Sequence, residues 1–129
     1  MTITPVKDMV AAATAKIESV SVADAQARMN DEDFQMVDIR DPRELARDGR
    51  IPGAFHAPRG MLEFWVDPAS PYHKDIFASG KKLVFFCASA WRSALSVETL
   101  NAMGLKNAAQ LEGGFGAWRK AGAPIDKGE

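Results

Sequence analysis

The chain has 129 residues, 47% of them hydrophobic and 26% charged, with a formal net charge of −1. That length and balance suit one globular domain able to bury its own core. They leave no basic surface for nucleic acid, and no apolar run reaches membrane-spanning length.

In chain order, Thr4-Pro5 predicts a helix start, with a capping hydroxyl and then proline at the first helical position. The alanine-rich segment to Lys16 continues that helix, so residues 1–16 are expected to form an N-terminal helical extension ahead of a domain at 17–129. Ile17 to Val20 is a short strand, and Ser21-Val22-Ala23-Asp24 opens a helix reaching about Met29. Phe34 to Arg40 reads as a strand ending in charge, and Asp41-Pro42 caps a helix through about Arg47. Gly49 to Ala54 is a turn-rich link. Phe55-His56-Ala57 is a further strand, Met61 to Val66 one or two helical turns, and Tyr72 to Ala78 a helix broken by Ser79-Gly80. Ala108 to Leu111 is the last strand, followed by a Gly113-Gly114 turn and a helix from Phe115 to Ala121, with Phe115 and Trp118 facing the core. Strands alternating with helices predict an α/β fold with a mostly parallel central sheet and helices on both faces.

The centre of this pattern is the stretch from Lys82 to Ser93. Leu83 to Phe86 is an unbroken apolar run suited to a strand buried on both faces. Cys87, the single cysteine of the chain, stands at its end. A helical pattern begins near Arg92, with Ala94, Val97, Leu100 and Met103 on one face and Gly104 at the stop. Open α/β sheets place their ligands at the carboxyl ends of parallel strands. Unpaired amides at a helix start, loop amides around the sulfur and the charge of Arg92 all favour thiolate over thiol, so this placement predicts a thiolate nucleophile at neutral pH. The competing reading is a buried cysteine acting as a small apolar residue.

Four blocks in order resemble the rhodanese homology domain: Met36 to Leu45, Gly49 to His56, Cys87 to Ser93, and Glu112 to Trp118 with Ala121 to Pro124. The resemblance spans about Ser21 to Ile125 and implies a single rhodanese-like domain with sulfurtransferase activity. It implies that Cys87 attacks the outer sulfur of thiosulfate or a related anionic sulfane donor, releasing sulfite and leaving a persulfide. A thiophilic acceptor then takes the sulfur: cyanide in an assay, a cellular thiol or a protein in life. The amides of Ala88, Ser89, Ala90, Trp91 and Arg92 would cradle the persulfide and the leaving group. No cofactor is called for.

The same resemblance places Asp38 near the loop as a support that pairs with a basic group or loop amides, and Ser93 beside it as a second support. Arg59, after the Phe55-His56-Ala57 strand, either helps bind an anionic donor or is a solvated arginine. Trp91 forms an apolar lip over the sulfur, packs on the Met61–Trp65 segment, or does both. Family loops often carry glycine where this chain has Ala90; if the position is left-handed, alanine costs about 1 kcal/mol. Arg50 replaces a common histidine and is expected to matter little.

Two alternatives stay open. Related cysteine phosphatases separate cysteine from arginine by five residues; here four intervene, and none of Ala88 to Trp91 is a carboxylate able to act as general acid, which sets phosphatase or arsenate reductase activity behind sulfur transfer. A non-catalytic binding or regulatory module would keep the fold alone. His56 and His73 form no metal pattern with the cysteine; His56 is read as structural and His73 as a surface residue. Arg43 with Glu44, and Arg119 with Lys120, read as solvated faces. With one cysteine no internal disulfide is possible. The N-terminus also lacks the basic-then-apolar pattern of a secretory signal, so a reducing cytoplasm is the expected compartment.

Overall fold

The computed structural model describes residues 2–127. Five strands form one sheet in the order β1-β5-β4-β2-β3, with every neighbouring pair parallel: β1 (Ser19–Val20), β2 (Phe34–Asp38), β3 (Phe55–His56), β4 (Lys82–Phe86) and β5 (Ala108–Leu111). The three inner strands are the apolar ones, as expected where helices cover both faces. The chain is a single α/β domain built on one parallel sheet, as the sequence predicts.

Strand alternation sorts the core into two layers. Leu83, Phe85 and Cys87 point to one face with Val37, Ile39 and Ala57. Against them pack Leu62 and Val66 of α4 (Leu62–Val66) and Val97 and Leu100 of α5 (Trp91–Met103). Val84 and Phe86 point to the other face and meet Ala25 of α2 (Val22–Arg28). The same layer includes Phe115 and Trp118 of α6 (Gly114–Lys120). Both of these aromatics are buried, and Trp118 Nε1 donates to the Pro124 carbonyl at 2.7 Å.

Local signals fix most boundaries. Ser21 Oγ accepts from the Asp24 amide and starts α2. A complete capping box between Asp41 and Glu44, with Pro42 at the first position, starts α3 (Pro42–Asp48). Gly104, at φ 111°, closes α5 in the left-handed region.

Some expectations need correction. The first helix, α1 (Val6–Lys16), begins one residue later than Thr4-Pro5 implies: Pro5 holds the cap position and no side chain caps the helix. α1 packs on α5 through Val10, Ala13 and Ala94. Tyr72 to Ala78 is not a helix beyond a 3-10 turn at Asp75–Ala78, because the Lys74 amide is spent on the Trp65 carbonyl across the loop. Met103 is 44% exposed and leaves the apolar face of α5. The His73 side chain is mostly buried rather than on the surface.

Candidate active site

β4 delivers Cys87 to the carboxyl edge of the sheet, and α5 begins four residues later at Trp91. Cys87 is fully buried. Its backbone neighbours on the same edge are Ile39, whose amide donates to the Phe86 carbonyl, and Ala57, whose amide donates to the Asp38 carbonyl. The sulfur faces apolar side chains below and polar ones on the side of α5. Sγ donates to Ser93 Oγ at 3.7 Å, and Arg92 interacts with it as a charged neighbour.

The loop from Ala88 to Ala90 has an unusual main chain. Ala90 sits at φ 74°, the one non-glycine residue with positive φ among those described. Its left-handed turn lets α5 start abruptly without a side-chain cap. Among the described residues, no carbonyl or side-chain oxygen accepts from the amides of Ala88 to Arg92. A left-handed residue within a run of uncommitted amides at a helix start is the main-chain pattern of an anion nest.

The other side of the loop is fastened by α6. The Cys87 carbonyl accepts from the Phe115 amide at 2.8 Å, and the Ala88 carbonyl from Gly116 at 3.0 Å. This approach requires glycine at position 114. A Cβ there would lie 2.6 Å from the Cys87 carbonyl oxygen and 2.9 Å from the Ala88 carbonyl, and φ is +66° besides.

Arg92 does not stand free. Its guanidinium meets Glu44 with both prongs, at 2.8 and 3.0 Å. Those hydrogen bonds raise the Arg92 pKa above its ordinary value, against partial burial, with Cys87 adding to the effect. They also pull the Glu44 carboxyl below its ordinary range. Glu44 is therefore no solvated face: it joins the α3 cap to the helix after the cysteine.

Asp38 closes on Arg40 in a fully buried pair, Nη2 to Oδ2 at 2.7 Å and Nε to Oδ1 at 2.9 Å. Arg40 also donates to the Gly49 carbonyl and lies under the Phe115 ring at 4.1 Å. His56 Nε2 bonds the Arg40 carbonyl at 2.7 Å. This cluster props the loop's neighbours without touching the sulfur. Arg59 sits at the same sheet edge but pairs with Glu63 at 2.8 Å. Trp91 is 47% exposed at the rim.

Ser93 is fully buried and donates to Gln110 Oε1 at 2.8 Å. Sequence reasoning missed Glu44, Arg40, Gln110 and Gly114. The local traces are slight: Arg40 is a charge two residues beyond Asp38, Glu44 stands three residues after the Asp41 cap, and Gln110 is a polar residue inside an apolar strand.

Known proteins resemble this chain in sequence and in fold. The model of the rhodanese-like domain matches residues 21–121. A sulfurtransferase of Allochromatium vinosum is 31% identical over 110 residues, covering 85% of this chain and 92% of the relative. The solution structure of a polysulfide-sulfur transferase homodimer from Wolinella succinogenes has a TM-score of 0.69 at 31% identity, covering 92% of this chain and 85% of that one. A protein of unknown function from Rhodopseudomonas palustris, described as a possible tyrosine phosphatase, has a TM-score of 0.92 at 55% identity, covering 98% of each chain.

Proposed function

Because the chain belongs to the rhodanese-like domain family, we propose that it is a sulfurtransferase working through a persulfide on Cys87. The observation that carries this reading is the lone sulfur at the end of β4 beside the uncommitted amides of Ala88 to Arg92. A Cys87 thiolate attacks the outer sulfur of thiosulfate or a related donor. The donor's S–S bond breaks, and its electron pair leaves on sulfite. The new persulfide carries negative charge on its outer sulfur, which main-chain donors stabilise without any counter-charge moving. A thiophilic acceptor then attacks that sulfur, and Cys87 leaves as thiolate.

Arg92 is assigned to holding the loop through Glu44, with a smaller part in attracting the donor, since Glu44 already answers its charge. Arg59 draws anions to the sheet edge only to the extent that Glu63 leaves it free. Asp38 and Ser93 support the site from beneath.

The likeness to a possible tyrosine phosphatase gives a second reading. Against it stand the four-residue spacing from Cys87 to Arg92 and the absence of a carboxylate in Ala88 to Trp91. Both prongs of Arg92 are also occupied by Glu44, so a phosphate has to displace that pair before it is gripped. Intact mass after thiosulfate treatment tests the proposal. One added sulfur is expected, lost on adding cyanide and absent in Cys87→Ala. An aryl phosphate hydrolysed while thiosulfate leaves the mass unchanged would reverse the order of the two readings.

A further inference from the structure

Beneath the sulfur, three side chains continue the hydrogen bonding of Cys87 in one direction. The thiol donates to Ser93 Oγ at 3.7 Å, Ser93 donates to Gln110 Oε1 at 2.8 Å, and Gln110 Nε2 donates to Ser19 Oγ at 3.3 Å. Ser93 is fully buried and Gln110 is 3% exposed, so water does not substitute for the bond between them. The chain runs from the cysteine through α5 and β5 to β1 at the sheet edge.

A serine hydroxyl carries one proton. Here that proton is committed to Gln110, which leaves Ser93 only lone pairs to offer the sulfur. A thiol satisfies them by donating; a thiolate has nothing to donate. To stabilise a thiolate, Ser93 has to turn its proton to Sγ and abandon the Gln110 carbonyl oxygen, a buried acceptor that is costly to leave unmet. Arg92, the charged neighbour of the sulfur on α5, acts in the opposite sense. On β2, the Asp38 carboxylate is closed on Arg40 and its charge is answered there.

We propose that Gln110 is a positioning residue for Cys87: by fixing the direction of the Ser93 hydroxyl, it withholds the Ser93 proton from the sulfur and restrains its reactivity. This rests on reading Cys87 as the nucleophile, but its test needs no sulfur donor. Gln110 lies on the apolar side of a buried strand, so methionine, unbranched and of similar length, replaces it without an orphaned polar group. In Gln110→Met the Ser93 proton is released to the sulfur.

The measurement is the rate of Cys87 alkylation by iodoacetamide at neutral pH, with the thiolate ultraviolet absorbance read in parallel. Gln110→Met is expected to alkylate about five-fold faster than the parent, the worth of one net hydrogen bond, with absorbance rising alongside. In Gln110→Met/Ser93→Ala the gain disappears, and the rate falls to that of Ser93→Ala alone. Gln110→Leu, equally at home in a strand, gives the same comparison if the methionine variant folds poorly. An unchanged or slower rate overturns the proposal. So does a gain that survives without Ser93 or comes without absorbance, since that reports loosening of the core. If the parent gains no sulfur from thiosulfate while the Gln110 effect holds, the sulfurtransferase reading fails and the positioning role stands. If thiosulfate loading succeeds and the Gln110 effect is absent, the reverse is true.

Discussion

Arg92 and Glu44, 48 residues apart in sequence, form a two-pronged ion pair that joins the helix after the cysteine to the capped start of α3. The Glu44 carboxyl is pulled below its ordinary value first by the Arg92 hydrogen bonds, against desolvation. A carboxylate with a depressed folded pKa stabilises the protein above its unfolded value, and that contribution is lost as pH falls through the folded value. Stability should therefore drop on acidification below the ordinary glutamate range, and Glu44→Gln should flatten that part of the curve. Asp41 is held at about 2, chiefly by its Arg43 hydrogen bonds, so its contribution is lost as pH falls through that value, and Asp41→Asn should flatten the curve there. At neutral pH Glu44→Gln is expected to cost about 1 kcal/mol, discounted because Arg92 is partly exposed. Urea unfolding midpoints across the acid range check both variants.

Ala90 holds a backbone shape that alanine resists. At φ 74° an L-residue with a Cβ pays about 1–2 kcal/mol relative to glycine, while glycine loosens the unfolded chain by about 0.4–1 kcal/mol. The difference favours Ala90→Gly by about 0–1.6 kcal/mol, with a midpoint of about 0.8 kcal/mol. Ala90→Val should be worse than either, because branching at Cβ adds to the clash. Denaturant midpoints of the three proteins should order glycine, alanine, valine.

Much of this architecture was legible in the residues themselves. Leu83 to Phe86 reads as a strand because burial on both faces leaves an unbroken apolar run, and Ala108 to Leu111 reads as one despite Gln110. The cysteine at a strand end with a helix opening behind it was equally plain. The polar supports were not, because their meaning depends on partners distant in sequence: Glu44 needs Arg92, and Gln110 needs Ser93 and, 91 residues away, Ser19. Tyr72 to Ala78 departs from the expected helix because the Lys74 amide bonds the Trp65 carbonyl of a neighbouring segment, which no local pattern records. The left-handed state of Ala90 was visible only as a conditional, since alanine itself gives no sign of it.

Asp38 and Arg40 form the most deeply buried ion pair among the described residues, with each side chain 1% exposed. Removing one partner leaves the other charged, desolvated and unpaired, which costs about 3–5 kcal/mol. Arg40→Met also uncovers the Gly49 carbonyl and forfeits the contact with Phe115. Asp38→Asn keeps the shape and loses the charge, and should be equally damaging because Arg40 cannot shed its proton. The double variant Asp38→Asn/Arg40→Met should recover part of the loss. A double-mutant cycle on unfolding free energy gives the coupling directly, and additive losses would mean that the pair acts through packing alone.

Gly114 is the point where α6 meets the cysteine loop. Its missing Cβ admits the carbonyls of Cys87 and Ala88 to hydrogen bonds with Phe115 and Gly116. The obstructing atoms are backbone, so no rotamer change relieves Gly114→Ala, and the helix has to withdraw from the loop. The residue is also left-handed at φ +66°, which alanine tolerates poorly. A loss of about 3 kcal/mol is expected. Gly122→Ala is the control: it has a similar φ of +76° with open space around the added methyl, so it carries the backbone cost without the clash. Sulfur loading of Cys87 should fall in Gly114→Ala at temperatures where circular dichroism still shows the folded state, because the loop loses both of its hydrogen bonds to α6. In Gly122→Ala loading should match the parent. Equal stability and equal loading in the two variants would mean that α6 does not hold the loop in place.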